Sequence, residues 1–321
     1  MEETKKVFDP LDFTDIYINF SDVNKSNVYY RDIEECMPVC DALKPHVQKL
    51  AQQISEIAQK RRGSFTVQYN RKFYRCQLIR GIHGLIADLR AQPMETIPLS
   101  QISIPLKVKQ VCTARRLNRG GLIIVAGSPG QGKTTTCAAI ILERLKKFGG
   151  FCLAIEDPAE LPLDGVHGKG RLVQMEIHQA KDYIDAGRMA MRCYPTDKPG
   201  LMFISEIRDS EAAALALRSS LDGRLVIATV HADNPISALK RVITYASSVM
   251  DEKEAIQLLY SGFRLCLHQE RTGSRINSTI LVDTPSVVPL IKNGKFDMLG
   301  TEIDLQQRLL KEDRPIKTRD S

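Results

Sequence analysis

Of all the segments in this chain, the one from Leu122 to Lys147 most narrows what it can fold into. Leu122-Ile123-Ile124-Val125-Ala126 is an apolar run of strand length with no polar face. The next eight residues, Gly127-Ser128-Pro129-Gly130-Gln131-Gly132-Lys133-Thr134, satisfy G-x-x-x-x-G-K-[ST], and Thr134 to Lys147 reads as a helix. Glycines let the backbone curl so that successive N–H groups converge on phosphate oxygens without a Cβ in the way. The helix start directs its positive end at the same anion. The expected nucleotide contacts are Gly127, Ser128, Pro129, Gly130, Gln131, Gly132, Lys133, Thr134 and Thr135. Lys133 would reach the β- and γ-phosphates of ATP, and the Thr134 hydroxyl would ligate Mg²⁺. A glycine-rich turn can satisfy the pattern by chance, but here the required strand precedes it and the required helix follows.

The rest of the second half extends that frame. Phe151 to Ile155, Leu201 to Ser205 and Leu225 to Thr229 are further continuous apolar runs, the pattern of a parallel sheet covered on both faces. Ser210 to Leu221 reads as a helix with Ser210 as N-cap and Gly223 beyond its end. The first hundred residues read differently, as a small α+β unit. Asp15 to Phe20, Ser64 to Tyr69 and Phe73 to Ile79 alternate like half-buried strands, and Asn70-Arg71-Lys72 suits a hairpin turn. Leu43, Val47, Leu50, Ile54 and Ile57 make an amphipathic helix within Cys40 to Arg62, ended by Arg61-Arg62-Gly63. Pro93, Pro98 and Pro105 punctuate a linker. The expected division is residues 1–100, residues 101–310 and a frayed tail at 311–321.

A length of 321 residues suffices for two cores, and 43% hydrophobic with 26% charged residues excludes general disorder. No apolar run approaches the roughly 20 residues of a membrane span. The opening Met1-Glu2-Glu3-Thr4-Lys5-Lys6 lacks the pattern of a signal peptide, so the expected location is cytoplasmic. The eight cysteines include no C-x-x-C pair and read as reduced, buried thiols, with Cys36 and Cys40 spaced to share a helix face. The net charge of +7 is interspersed along the chain, which favours a mixed solvated surface over a nucleic-acid groove.

Three polar segments follow predicted strands, at the edge where open α/β sheets bind ligands. Glu156, Asp157 and Glu160 could bind Mg²⁺ directly or through water. Glu206, just past Leu201 to Ser205, could orient an attacking water. His231, just past Leu225 to Thr229, could sense the γ-phosphate.

The ordered series resembles the motor ATPases of bacterial type II and type IV secretion and type IV pilus systems, with most likeness to the retraction type and its conjugative relatives. In that resemblance Gly127 to Thr134 is the Walker A segment, Ile155 to Glu160 the Asp box, Ser205 to Asp209 an atypical Walker B, and Thr229 to Arg241 the His box. Arg188 and Arg192 match the family's arginine pair. Thr14 to Ile18, Tyr74 to Gln77 and Ile86 to Arg90 are similar to its N-terminal strands, which implies that Arg75 and Arg90 reach nucleotide, often across a subunit boundary. Ser205 stands where the family has glycine, and Ser286 to Lys292 lacks the family's two C-terminal arginines. The resemblance implies a PAS-like domain joined to a RecA-like ATPase domain, assembled as a homo-hexamer. It implies work at the cytoplasmic face of the bacterial inner membrane, held there through an inner-membrane platform protein and other pilus or secretion components, with no specific nucleic acid. A RecA-like helicase or recombinase and a nucleotide-gated scaffold with little turnover are the alternative readings.

Overall fold

Alternation in the first part of the chain and unbroken apolar runs in the second resolve into two different sheets. The computed structural model describes residues 11–319 except 32, 60–62 and 274. The expected helix end at Arg61-Arg62, the opening hexapeptide and the last two residues lie outside the described residues. The chain divides into two compact units, one of Met1–Glu95 with Asp157–Pro162 and the other of Thr96–Glu156 with Leu163–Ser321.

The first unit contains β1 (Phe13–Asn19), β2 (Asn27–Tyr30), β3 (Met37–Pro38), α1 (Lys44–Ala58), β4 (Ser64–Tyr69), β5 (Lys72–Gly81) and β6 (Gly84–Ala91). Its sheet is antiparallel throughout, in the order β3-β2-β1-β6-β5-β4. The period of two sends Ile16, Ile18, Phe65, Val67, Tyr74, Cys76, Ala87 and Leu89 to one face, where Val47, Leu50 and Ile54 of α1 cover them. Asn70 and Arg71 both lie in the left-handed region, at φ 48 and 63, so the β4–β5 hairpin closes on a two-residue turn that matches the twist of its strands. Cys36 and Cys40 do not share a helix face. Met37–Pro38 between them pairs with Asn27 and Val28 as an edge strand, and α1 starts only at Lys44. Both cysteines are exposed, as is Cys193, whereas the other five are buried.

The second unit contains α2 (Leu106–Cys112), β7 (Gly121–Ala126), α3 (Lys133–Phe148), β8 (Gly150–Glu156), β9 (Gly165–His167), β10 (Gly170–Glu176), α4 (Lys181–Cys193), β11 (Gly200–Ile204), α5 (Ser210–Ser219), β12 (Arg224–Val230), α6 (Pro235–Ala246), α7 (Glu252–Gly262), β13 (Phe263–Thr272), β14 (Arg275–Val282), α8 (Val287–Lys292) and α9 (Leu299–Lys311). Its sheet runs β14-β13-β7-β12-β11-β8-β10-β9, parallel from β13 to β10 and antiparallel at both edges. The four apolar runs read from the sequence are β7, β12, β11 and β8, four neighbours at its centre. Leu122, Ile124, Ile204 and Val226 pack against α4, α5 and α6, while α3 lies against β7, β8, β10 and β12 without joining that cluster. The sheet is thus buried on both sides, as continuous apolar strands require.

Two expectations need correction here. The N-cap of α5 is Asp209, not Ser210: Asp209 has extended backbone and its carboxylate accepts from the Ala212 N–H at 2.8 Å. Residues 312–319 are not a loose tail. Arg319 donates to the carbonyls of Tyr260, Ser261 and Phe263, pairs with Asp283 at 3.2 Å, and its N–H donates to the Asp283 carbonyl. Asp283 is fully buried and also holds Arg116 through two hydrogen bonds of 2.9 and 3.1 Å, so two guanidiniums share one carboxylate. Among the described residues no helix is long and apolar enough to cross a membrane.

Candidate functional site

The carboxyl ends of four neighbouring strands, β13, β7, β12 and β11, carry polar groups that meet. The loop leaving β7 starts at Gly127, whose φ is 149; a Cβ there would lie 2.4 Å from the Gln269 carbonyl oxygen of β13. Only glycine fits both the angle and that approach. Gly132, at φ 79, turns the chain into α3, and Lys133 is the first residue of that helix.

Lys133 is buried, and its ammonium donates to the Ser128 carbonyl at 2.9 Å, folded back over its own loop. The same Nζ lies 3.4 Å from His231 Nδ1, and His231 Nε2 lies 2.9 Å from Glu206 Oε1. An ammonium has only protons to give, so Nδ1 accepts and Nε2 carries the ring proton to the carboxylate. The imidazole thus stands between the lysine ammonium and the glutamate carboxylate. Strand order explains why: His231 follows β12, which lies between β7 with Lys133 and β11 with Glu206.

Backbone and side-chain bonds hold these strand ends in register. The Thr229 hydroxyl donates to the Ser205 carbonyl, the Ile207 N–H to the Thr229 carbonyl at 2.9 Å, and the Ser205 N–H to the Ile155 carbonyl at 3.0 Å. Ser205 is therefore held through its N–H by β8 and through its carbonyl by the Thr229 hydroxyl. Arg241 donates to the His231 carbonyl, which ties α6 to the backbone just past β12.

Sequence reasoning missed Gln269 and Arg271. The Gln269 side-chain amide, fully buried, donates to the Gln131 carbonyl at 2.6 Å, and the Arg271 N–H donates to the Gln131 side-chain oxygen. They clasp the middle of the glycine loop from β13. No motif marks them; the one signal is that His268-Gln269-Glu270 follows the apolar residues Leu265-Cys266-Leu267, as Glu206 and His231 follow their longer apolar runs.

The other expected site residues are distributed as follows. Glu156, the last residue of β8, is fully buried and accepts from the Gln174 amide at 2.6 Å. Asp157 and Glu160 fall in the segment that groups with the first unit, where the Ala159 carbonyl accepts from Thr66 at 3.3 Å and from Gln92. Among the described residues no three His, Cys, Asp or Glu side chains form a metal-holding group. The acidic segment therefore does not gather as a carboxylate cluster. A Mg²⁺ ion needs less, since it keeps several waters and takes one or two protein groups beside substrate phosphates. Thr134 and Thr135, half-buried at the start of α3 next to the lysine, fit that demand. Arg188 and Arg192 lie exposed on α4, and Arg188 pairs with Asp185 one turn away at 3.2 Å. In the first unit Arg75 and Arg90 are direct cross-strand partners on the face away from α1, and Arg90 pairs with Asp15 at 2.6 Å.

A mainly parallel sheet with a glycine loop and a buried lysine on one strand, and an imidazole and a carboxylate on the next two, defines a P-loop nucleotide-binding architecture. The family described as "Type II/IV secretion system protein" matches residues 34–283, and the chain belongs to that family of secretion and pilus motor ATPases. It is similar to YggR of Escherichia coli (strain K12), 28% identical over 233 residues covering 71% of this chain and 68% of that protein. It is also similar to the type IV pilus retraction ATPase PilT of Pseudomonas aeruginosa, 27% identical over 229 residues covering 68% and 62%. The match spans 24% of the type II secretion protein HxcR and 59% of the twitching motility protein of Neisseria gonorrhoeae, so these relatives extend beyond it. Among solved structures, the pilus retraction motor PilT with bound ADP superposes with a TM-score of 0.72 at 21% identity, covering 97% of this chain and 92% of that one. The Legionella pneumophila ATPase DotB gives 0.68 at 19% identity, covering 97% and 90%. These two likenesses concern the fold.

Proposed function

We propose that this chain is a motor subunit that hydrolyses Mg-ATP to drive a type IV pilus, of the retraction type, or a type IV secretion machine. The observation that carries the proposal is the line Lys133–His231–Glu206 across three adjacent strand ends. Lys133 would exchange the Ser128 carbonyl for phosphate oxygens, with the loop N–H groups around it fixed by the Gln269 clasp. Its departure leaves His231 Nδ1 free to accept a hydrogen bond, while Nε2–H continues to orient Glu206. The second Glu206 oxygen is then available to align a water on the γ-phosphate and draw its proton. Mg²⁺, held by Thr134, would offset phosphate charge when bound. Arg188 and Arg192, together with Arg75 and Arg90 on the open face of the first unit, are the candidate charge-stabilising groups from elsewhere in an assembly.

The wider reading follows the family. The first unit would be a PAS-like domain and the second a RecA-like one. Six copies would form a ring at the cytoplasmic face of the inner membrane, passing motion to a platform protein. The deciding experiment is ATP turnover by the purified protein with Lys133→Ala and Glu206→Gln. Each is expected to lose about a hundredfold or more. Wild-type turnover by either variant would remove that residue from the mechanism. Strong stimulation by single-stranded nucleic acid would instead assign the helicase or recombinase class.

A further inference from the structure

The parallel sheet has a second edge, opposite the glycine loop, and it is basic. Within three residues of the start of each parallel strand lies a lysine or arginine: Arg264 on β13, Arg119 before β7, Arg224 on β12, Lys198 before β11, Lys147 before β8 and Lys169 before β10. Parallel strands share one starting edge, so residues far apart in sequence become neighbours there. A cleft of about 1000 Å³ opens at this edge, with Asp197 as its one acidic wall residue among the described residues.

Not every cation in the cleft is free. Arg116 is committed to Asp283, and Arg264 donates to the carbonyls of Ser261, Gly262 and Phe263. Arg115, Arg119 and Lys198 are exposed and have no carboxylate partner among the described residues, and neither has Lys147, which lies over the Phe148 ring. Beneath the wall, buried Arg144 donates to the carbonyls of Cys112 and Ala114 and to the Asn118 side chain. Burial without a carboxylate pushes its pKa down to about 10. It fixes the backbone of the loop that carries Arg115 and Arg119, so their attachment points are set before any ligand arrives.

We propose that this cleft docks an acidic segment of another protein, glutamate- or aspartate-rich with an apolar anchor. The cations supply charge complementarity. Concavity and the apolar lining residues Phe148 and Pro199 favour an inserted peptide over a flat anionic membrane, which would meet the rim alone, and over a nucleic-acid backbone, which has no apolar side chain to offer them. The site is separate from the nucleotide loop and does not rest on the reading of that loop.

The test is fluorescence anisotropy with fluorescein-labelled hexaglutamate bearing a terminal phenylalanine. Arg115→Glu/Arg119→Glu/Lys198→Glu is expected to weaken binding by about tenfold or more, and affinity should fall with added salt. Arg115→Gln/Arg119→Gln should give a smaller loss in the same direction, with the ATP turnover rate and far-ultraviolet circular dichroism of the wild type. Equal binding of the peptide by the wild type and the triple variant would overturn the proposal. So would absence of peptide binding when phosphatidylserine vesicles or duplex DNA bind the wild type and not the triple variant.

Discussion

The two sheets of this protein place their chemistry in different positions. In the antiparallel sheet α1 covers one face, and the other carries polar side chains directly: Thr66, Arg75, Arg90 and Asp15 form one cross-strand row. In the parallel sheet both faces are covered, so no strand interior can present a functional group. Its candidate site residues sit toward the strand ends, Lys133, His231, Glu206 and Gln269 at one edge and the lysines and arginines at the other. A sheet with a free face can use that face, while a sheet without one has only its two edges.

The contrast can be broken by substitutions whose effects should differ in size. The largest is expected for Gly127→Ala, which forces a Cβ onto the Gln269 carbonyl. Stability should fall by about 3 kcal/mol in denaturant titrations, and nucleotide affinity by about a hundredfold. Near-normal affinity would mean the strand-end loop tolerates distortion and is not the preorganised element. Gln269→Ala comes next. It strips a buried donor from the Gln131 carbonyl, which predicts a loss of about 2 kcal/mol in unfolding free energy and a rise in the ATP dissociation constant.

On the open face effects should be smaller. Arg90→Ala removes a pair whose arginine is 67% exposed, so stability should change by less than about 1 kcal/mol. Turnover in concentrated, assembled protein is the sharper measurement. A drop of about tenfold there would make the face part of a composite site. Unchanged rates for both Arg90→Ala and Arg75→Ala would leave the face without a catalytic part. The smallest effect, and of opposite sign, is expected at the hairpin. Arg71→Gly relieves a left-handed arginine and should raise the urea midpoint, with m unchanged, by the equivalent of about 0.5–1 kcal/mol.

How much of this was legible in the sequence follows from the same contrast. β7, β8, β11 and β12 were legible because burial on both faces leaves an uninterrupted apolar run. β10, β13 and β14 were not, because they lie nearer the sheet edges and mix in residues such as Arg171, Gln174, Asn277 and Ser278. Glu206 and His231 were found by their place after such runs. Gln269 was missed because β13 was not recognised and glutamine signals nothing by itself. Asp209 rather than Ser210 caps α5; either residue type can cap a helix, and only the backbone angles decide. The basic edge was invisible for a different reason. Positions 119, 147, 169, 198, 224 and 264 are scattered among acidic residues, and only the order of strands lines them up.

That strand order also governs how the chain can reach its folded state. β7 is the first strand of its sheet to be synthesised, yet it lies between β12 and β13, with Leu122 paired to both Val226 and Phe263. On the ribosome β7 emerges well before either neighbour, its unpaired backbone edges and apolar side chains in need of cover. Closing such distant pairings is slow, and the exposed strand is open to aggregation meanwhile. The nucleotide loop therefore takes its final form only after β13 has been made and inserted beside β7. Nascent chains stalled before Phe263 should be unable to retain nucleotide, however complete their glycine motif.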